Sequence, residues 1–144
     1  MNALNLHWRY VEYEYAAGCE HTRSESVFHS TPRLALALRL IERLHSDGWR
    51  VELVCLALPS VEMSKLRVAE RVAHGGHNIP SRDIERRFPR SLNNLLNNFS
   101  HLVDLCTCFM NDGEKPVLVF EQNDEARDIL HKDYYQSLRK EVVT

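Results

Sequence analysis

An apolar segment begins at Thr31-Pro32 and ends at Gly48. Threonine is a good helix cap, proline fits the first helical position and glycine ends helices, so this segment is predicted to be a helix. A helix that is apolar on most sides is usually buried, and we expect this one to pack against a sheet. Its large apolar residues are Leu34, Leu36, Leu38, Leu40, Ile41 and Leu44.

A near-continuous apolar run, WRVELVCLAL, follows this helix. Such runs are typical of a central parallel strand that is covered on both faces. Ser60 can cap a second helix, predicted from about Val61 to Ala73. The order of helix, buried strand and helix predicts an α/β fold with a parallel sheet and helices on both sides. In the second helix, the residues predicted to face inward are Leu66, Ala69, Val72 and Ala73.

The rest of the chain alternates between helical and strand patterns. Gly75 and Gly76 are expected to end the second helix, and Ser81 to cap a short one, SRDIERRF. Pro89 is expected to restart the chain, and apolar residues then recur at helical spacing up to Val103. HLVDLCTCF and PVLVFEQ indicate two strands around a turn, and DYYQSLRKEV a terminal helix. The partial alternation in WRYVEYEY is compatible with one more strand.

The composition is that of a globular protein. With 144 residues, 44% hydrophobic and 26% charged, the chain is expected to form one domain over residues 1–144. The formal charge of −2 gives no general argument for nucleic-acid or membrane binding. No apolar run approaches the roughly 20 residues of a membrane span, and the start of the chain lacks a secretion-signal pattern. A cytoplasmic protein without a membrane partner is therefore expected.

The four cysteines are expected to be reduced thiols without a metal, because none belongs to a Cys-x-x-Cys pair. They are Cys19, Cys55, Cys106 and Cys108. Two histidines, His74 and His77, flank the paired glycines, but no third ligand is evident, so a metal site is disfavoured. No metal-binding residue is predicted in the chain.

Basic residues are concentrated between residues 65 and 90, where there are seven of them against three acidic ones. Arginines recur at a spacing of four, which places each pair on one side of a helix. Six of the seven are arginine, whose planar group donates two parallel hydrogen bonds to one phosphate or carboxylate. The spacing leaves two hypotheses open. The arginines either close over a transferring phosphoryl group, or form a solvated face paired with local acidic residues.

The segment RVAERVAHGGHNIPSRDIERRFPRSLNNL resembles the zeta-toxin family of P-loop kinases. The similarity lies in the pattern RVxxRVxxGGHxIPxxxIxRRFxRSLxNL over residues 67–95, and extends more weakly over about 27–121. It implies a partial P-loop-kinase-like (P-loop NTPase) sheet with flanking helices and an arginine-rich helical lid. It also implies an ATP-dependent phosphotransferase acting on a small molecule such as a UDP-amino sugar, with ATP and Mg²⁺ as cofactors. Some family members are toxins held by an antitoxin.

The resemblance also implies site residues. Arg71 and Arg87 match family arginines that approach the ATP phosphates, and they are the implied catalytic residues. Thr31 lies in the match to a substrate motif of the family, although His29 replaces the acidic residue of that motif. The implied nucleotide-binding residues, which include the joint of the lid, are Arg67, Arg71, Arg86, Arg87, Gly75, Gly76 and His77.

The sequence departs from the family in one major respect. It lacks the phosphate-binding loop GxxxxGK followed by Ser or Thr, whose amides and lysine hold nucleotide phosphates. The expectation is therefore a zeta-toxin-like domain that is incomplete at its N-terminus, truncated and inactive alone. Two alternatives stay open. One is a non-catalytic relic or binding module, and the other is a split kinase whose complementary N-terminal chain carries the loop.

The expected partners follow from the same resemblance: ATP, a small-molecule phosphate acceptor, and an antitoxin or a complementary chain. An incomplete sheet would leave unpaired strand groups, which is compatible with a homo-oligomer. Nucleic acid is disfavoured as a partner, because only WRYVEYEY offers aromatic side chains for stacking and its acidic residues oppose phosphate.

Overall fold

The computed structural model describes residues 5–12, 34–113, 115–124 and 126–143. Helices and strands are combined in this part of the chain, which confirms the expected α/β class. Thr31 and the helix start predicted at Thr31-Pro32 lie outside the described residues. The elements are β1 (Asn5–Glu12), α1 (Leu34–Ser46), β2 (Trp49–Ala57), α2 (Val61–Ala73), α3 (Ser81–Asn94), a π-helical segment (Leu95–Phe99), α4 (Ser100–Leu102), β3 (Leu105–Met110), β4 (Val117–Gln122), β5 (Arg127–Ile129) and α5 (Lys132–Val143).

The five strands form a mixed sheet in the order β1-β2-β3-β4-β5. Strands β2 and β3 run parallel, and their register pairs Leu53 with Cys106 and Ala57 with Met110. The other neighbouring strands are antiparallel. The expectation of a parallel sheet is therefore wrong. A long helical connection lets β3 run parallel to β2, whereas the short connections from β3 to β4 and from β4 to β5 produce antiparallel hairpins.

One face of the sheet is well covered. In β2, Val51 and every second residue up to Ala57 are fully buried, whereas Glu52, Val54 and Leu56 are partly exposed. Strand β3 alternates in the same way. The expectation that β2 is covered on both faces is therefore wrong, because alternation is typical of a sheet with one packed face. The core on this face includes side chains from α3, the π-helical segment and α5, namely Phe88, Leu92, Leu95, Leu96, Phe99 and Leu138.

Helix α1 packs against β2, as expected, but it is not enclosed on most sides. Ala37 and Ile41 are buried in the core, while Leu36 is 59% exposed. A one-sided burial pattern of this kind is typical of a helix on the surface of a domain.

Helix α2 has the predicted bounds, but the side of the helix that is buried differs from the predicted one. It buries Ser64 and Val68, and it packs against α3. The residues expected to face inward are exposed instead, with Leu66 at 58% and Val72 at 37%, and with Ala69 and Ala73 also exposed. The side of α2 that packs against α3 is therefore not the side that its apolar residues predicted.

A single uninterrupted helix runs from Ser81 to Leu102 and comprises α3, the π-helical segment and α4. The predicted restart at Pro89 is therefore wrong, because Pro89 lies inside α3. A proline in a helix interior costs about 3 kcal/mol. The fully buried side chains Phe88 and Leu92, on either side of the proline, offset this cost.

Arg127 links the π-helical segment to the sheet and to α5. Its guanidinium group donates to the Leu96 carbonyl oxygen at 2.6 Å, to Ser100 Oγ at 2.9 Å and to the Tyr135 hydroxyl at 2.8 Å. Its Nε donates to Gln122 Oε1 at 2.6 Å. The group also lies 4.9 Å from the centre of the Phe120 ring, a favourable cation–π distance. This network connects elements that are far apart in sequence.

Three cysteines lie together in the core, and all are free thiols: Cys55, Cys106 and Cys108. A hydrogen bond with Cys108, together with burial, raises the pKa of Cys55. Burial raises the pKa of Cys106 to about 12. Because the thiolate is the reactive and metal-binding form, buried thiols with raised pKa values are chemically inert. Cys19 lies outside the described residues.

Candidate functional site

The arginine-rich segment forms a helical hairpin, here called the arginine hairpin, made of α2, residues 74–80 and α3. The hairpin begins at Ser60. The Ser60 hydroxyl accepts a hydrogen bond from the Met63 amide at 3.2 Å and thereby caps α2. Lys65 Nζ on α2 contacts Glu85 Oε1 on α3 at 2.6 Å, and this contact raises the pKa of Lys65. An ion pair and the shared burial of Val68 and Ile84 therefore hold the two helices together.

The turn of the hairpin requires glycine at both of its adjacent glycine positions. Gly75 has a φ of +86°, a left-handed conformation that glycine adopts without strain. The Gly76 amide donates to the Arg71 carbonyl oxygen at 2.9 Å. A Cβ atom on Gly76 would lie 2.6 Å from Arg71 Cγ. The Arg71 guanidinium group in turn donates to the His77 carbonyl oxygen at 3.1 Å. The Arg71 carbonyl oxygen and the Arg71 guanidinium group thus both bind the turn and hold it in place.

We predict that Gly76→Ala lowers the free energy of unfolding by about 1–3 kcal/mol, because the new methyl group displaces Arg71. Urea denaturation of the purified protein measures this change. Gly113→Ala is the matched control, since nothing lies within 4 Å of a Cβ atom at Gly113. Equal stability of the two variants would contradict the role given to the turn.

The arginines of the hairpin fall into two groups. Two are engaged in ion pairs along their own helix, Arg67 with Glu70 at 3.4 Å and Arg86 with Asp83 at 3.1 Å. The second group is exposed and has no hydrogen bond or ion pair with any residue in the described segments. It consists of Arg82, Arg87 and Arg90. The local pairing of the second hypothesis is therefore found at Arg67 and Arg86, whereas the phosphate hypothesis stays a prediction.

A shallow cavity of about 610 Å³ lies at the start of α3 and is lined by both signs of charge. Arg82 and Arg86 contribute positive charge, and Asp83 and Glu85 contribute negative charge. Glu85 and Asp83 are occupied by Lys65 and Arg86 respectively. The arginines of α3 that have no ion pair with a described residue are therefore Arg82, which lines this cavity, and Arg87 and Arg90 farther along the helix.

The hairpin starts at the edge of the sheet where α/β proteins bind ligands. In open sheets with parallel strands, ligands bind outside the carboxyl ends of those strands. Helix α2 begins directly after the carboxyl end of β2. The carboxyl end of β3 is adjacent, since the Asn111 amide donates to the Ala57 carbonyl oxygen at 2.8 Å. The hairpin is thus rooted at the edge formed by the carboxyl ends of β2 and β3.

Two polar groups at this edge were not predicted from the sequence. The Tyr134 hydroxyl donates to Asp112 Oδ2 at 2.8 Å, and this hydrogen bond raises the pKa of Tyr134. The ring of His131 stacks on Tyr134 with centroids 4.1 Å apart. Asp112 follows β3, His131 directly precedes α5 and Tyr134 lies in its first turn, so only the fold brings them together. No sequence motif indicates such a group.

Another unpredicted group lies at the opposite end of β2. Asp104 Oδ2 accepts hydrogen bonds from the Val51 amide at 2.7 Å and from His45 Nε2 at 2.9 Å. It borders a shallow cavity of about 490 Å³ that Trp49 and Asp124 also line. Asp104 connects α1 to the start of the parallel pair, which is a structural role.

The described residues fit phosphate better than they fit a cation. Exposed guanidinium groups suit the oxygen atoms of a nucleotide phosphate. Within residues 34–113, 115–124 and 126–143, no group of three or more His, Cys, Asp or Glu side chains is placed to hold a metal ion. The Mg²⁺ implied by the resemblance therefore has no ligand set in this part of the chain.

Comparisons with known proteins do not assign the chain to a family. No family model matches it, and neither a curated protein nor a solved structure does. In the part of the chain that the structure describes, no helix has both the length and the apolar character needed to cross a membrane.

Proposed function

We propose that the arginine hairpin binds nucleotide phosphates and that the chain works as part of an ATP-dependent small-molecule kinase of zeta-toxin type. The observation that supports this most directly is the state of Arg87. It is an exposed guanidinium group without a partner among the described residues, on a hairpin rooted at the carboxyl ends of parallel strands. The similarity of residues 67–95 to the family lid supplies the second support.

The arginines take different roles in this proposal. Arg87 is the phosphate ligand. Arg71 is a positioning residue, because its guanidinium group holds the His77 carbonyl oxygen and its stem packs against Gly76. Arg67 and Arg86 are paired at the surface, where ion pairs are worth about 0–1 kcal/mol, so a phosphate can compete for them.

The reaction is the transfer of the γ-phosphoryl group of ATP to a hydroxyl group of the acceptor. The bond from the γ-phosphorus to the bridging oxygen breaks, a bond to the acceptor oxygen forms, ADP leaves, and the hydroxyl proton is released. The contribution of the arginines is electrostatic, since guanidinium groups near the transferring group stabilise the charge that spreads over its oxygen atoms. A UDP-amino sugar is the proposed acceptor, on the family resemblance alone.

A second candidate function is phosphate binding without transfer. It is favoured by the absence from the sequence of GxxxxGK followed by Ser or Thr. That loop supplies most of the phosphate contacts in P-loop kinases. In a kinase, residues outside this sequence would have to supply it, whereas a binding module needs the hairpin alone.

We predict that Arg87→Gln weakens binding of ATP and of inorganic triphosphate by roughly 10- to 100-fold, because each hydrogen bond to a charged group contributes about 1.5–3 kcal/mol. Isothermal titration calorimetry on the whole chain, with Mg²⁺ present, measures both affinities. Arg139→Gln is the control, since it removes the same charge from an exposed position on α5. An equal loss in both variants, or no binding by the unmodified chain, would refute the phosphate role.

Transfer separates the two candidate functions. ADP formation in the presence of UDP-amino sugars, lost in Arg87→Gln, supports the kinase. Phosphate binding that depends on Arg87 but yields no ADP supports the binding module.

A further inference from the structure

The outer face of α3 carries a stripe of three arginines. Arg82, Arg86 and Arg90 are spaced four apart, so at 3.6 residues per turn they lie within an arc of about 80°. All three are exposed. Arg87 lies about 60° beyond Arg90 and therefore borders this arc without belonging to it. The stripe runs beside the proposed phosphate ligand.

Two asparagines continue this stripe, Asn93 near the end of α3 and Asn97 in the π-helical segment. Asn97 Nδ2 donates to Asn93 Oδ1 at 2.8 Å, which shows that both amides lie on one side of the helix. From residue 82 to residue 97 the stripe is about 22 Å long at 1.5 Å per residue. Asp83 is the acidic residue in contact with it, through Arg86 at 3.1 Å.

We propose that this stripe binds the phosphodiester backbone of a nucleic-acid duplex. The basic residues of α3 are all arginine, which forms paired hydrogen bonds with phosphate oxygen atoms. Arginine and asparagine are both common phosphate-contacting side chains at such interfaces. An exposed helix face also suits the major groove of DNA, which is about 12 Å wide.

The stripe has no aromatic side chains, and this composition indicates which form of nucleic acid it binds. Proteins that bind single strands use aromatic side chains on which bases stack. The phenylalanines of this helix, Phe88 and Phe99, are fully buried in the core. The stripe offers only charge and hydrogen bonds, which suit the regular backbone of a duplex. A shortage of stacking side chains weighs against a single strand as the ligand, and it does not weigh against a duplex.

The test is fluorescence anisotropy of a short labelled DNA duplex of mixed sequence, titrated with the whole chain between about 50 and 200 mM salt. The stripe variant combines Arg82→Gln and Arg90→Gln, and it keeps Arg86 because a nucleotide phosphate can compete for that residue. The control removes the same charge from exposed arginines elsewhere, with Arg39→Gln and Arg139→Gln. Circular dichroism of all samples checks that the helices are intact.

We expect the stripe variant to bind at least tenfold more weakly. We also expect the slope of log K against log salt to become shallower by about 0.9 for each phosphate that the protein no longer neutralises. ATP binding should be unchanged in the same variant, which separates this inference from the proposed function. Three results would overturn it: no duplex binding by the unmodified chain in the lowest salt, an equal loss in the control, or displacement of the duplex by polyglutamate as readily as by unlabelled duplex. The last outcome would indicate an acidic protein partner.

Discussion

Arg127→Ala is expected to lower the free energy of unfolding by about 3 kcal/mol or more. The substitution removes four hydrogen bonds at once and leaves the Leu96 carbonyl oxygen with a weaker set of partners. A buried polar group without a partner costs about 1–3 kcal/mol, and water reaches this half-buried site only in part. Loss of the cation–π interaction with the Phe120 ring adds to the effect.

Urea denaturation followed by circular dichroism measures this change. Arg127→Lys is the informative control, because lysine keeps the charge but its single ammonium group cannot reach Leu96, Gln122 and Tyr135 together. We expect it to recover less than half of the lost stability. If Arg127→Ala changes the stability by less than about 0.5 kcal/mol, the network is not what holds the π-helical segment against the sheet.

Phe88→Ala is expected to cost about 3–5 kcal/mol, the usual range for removing a large buried aromatic side chain. Phe88 is fully buried and belongs to the core beneath the sheet. It also precedes Pro89 in α3, so its burial is part of what keeps the helix continuous through the proline. The variant therefore loses packing at the position where α3 is intrinsically weakest.

The thermal unfolding midpoint and the urea midpoint both report this loss. Phe88→Leu keeps most of the volume and is expected to cost less than half as much. Ile129→Ala serves as a surface control, because Ile129 is 40% exposed at the edge of the sheet. A similar loss of stability in Phe88→Ala and Ile129→Ala would mean that α3 is not anchored through Phe88.

The parts of the fold that could be predicted from the sequence have strong local signals. Helix α2 has the predicted bounds, because Ser60 caps its start and Gly75 takes the left-handed conformation after its end. Strand β2 was predicted from its apolar run. The same run led to the wrong prediction of a parallel sheet, because apolar character does not distinguish a parallel neighbour from an antiparallel one. Short connections, as between β3 and β4, require antiparallel neighbours, whereas the long connections before β2 and before β3 allow either direction.

The failures concern features with no local signal. Pro89 normally ends a helix, and only the burial of Phe88 and Leu92 on both sides of it explains the continuous α3. Strand β5 has three residues, too few for a pattern. Which side of α2 is buried depends on its partner, and that partner is a helix rather than the sheet.

The candidate site was predicted in part. The paired glycines indicated a joint between two arginine-bearing helices, and the hairpin is present with a turn that needs both glycines. The sequence could not show which arginines are paired, because the contacts of Arg71 with His77 and of Lys65 with Glu85 depend on how the two helices fold together. The phosphate role of Arg87 stays a prediction.

The Arg127 network also affects the order in which the protein can acquire its structure during synthesis. The π-helical segment leaves the ribosome well before Arg127 and Tyr135, which are 31 and 39 positions after Leu96 in the sequence. Until then the Leu96 carbonyl oxygen lacks the hydrogen bond from Arg127, while the Ser100 hydroxyl is close enough to donate to it. The hydrogen bonds that hold the π-helical segment are therefore completed late. Until then, the apolar core that this helix covers in the folded protein is not yet closed. That interval is when a chaperone would find exposed apolar surface on this chain.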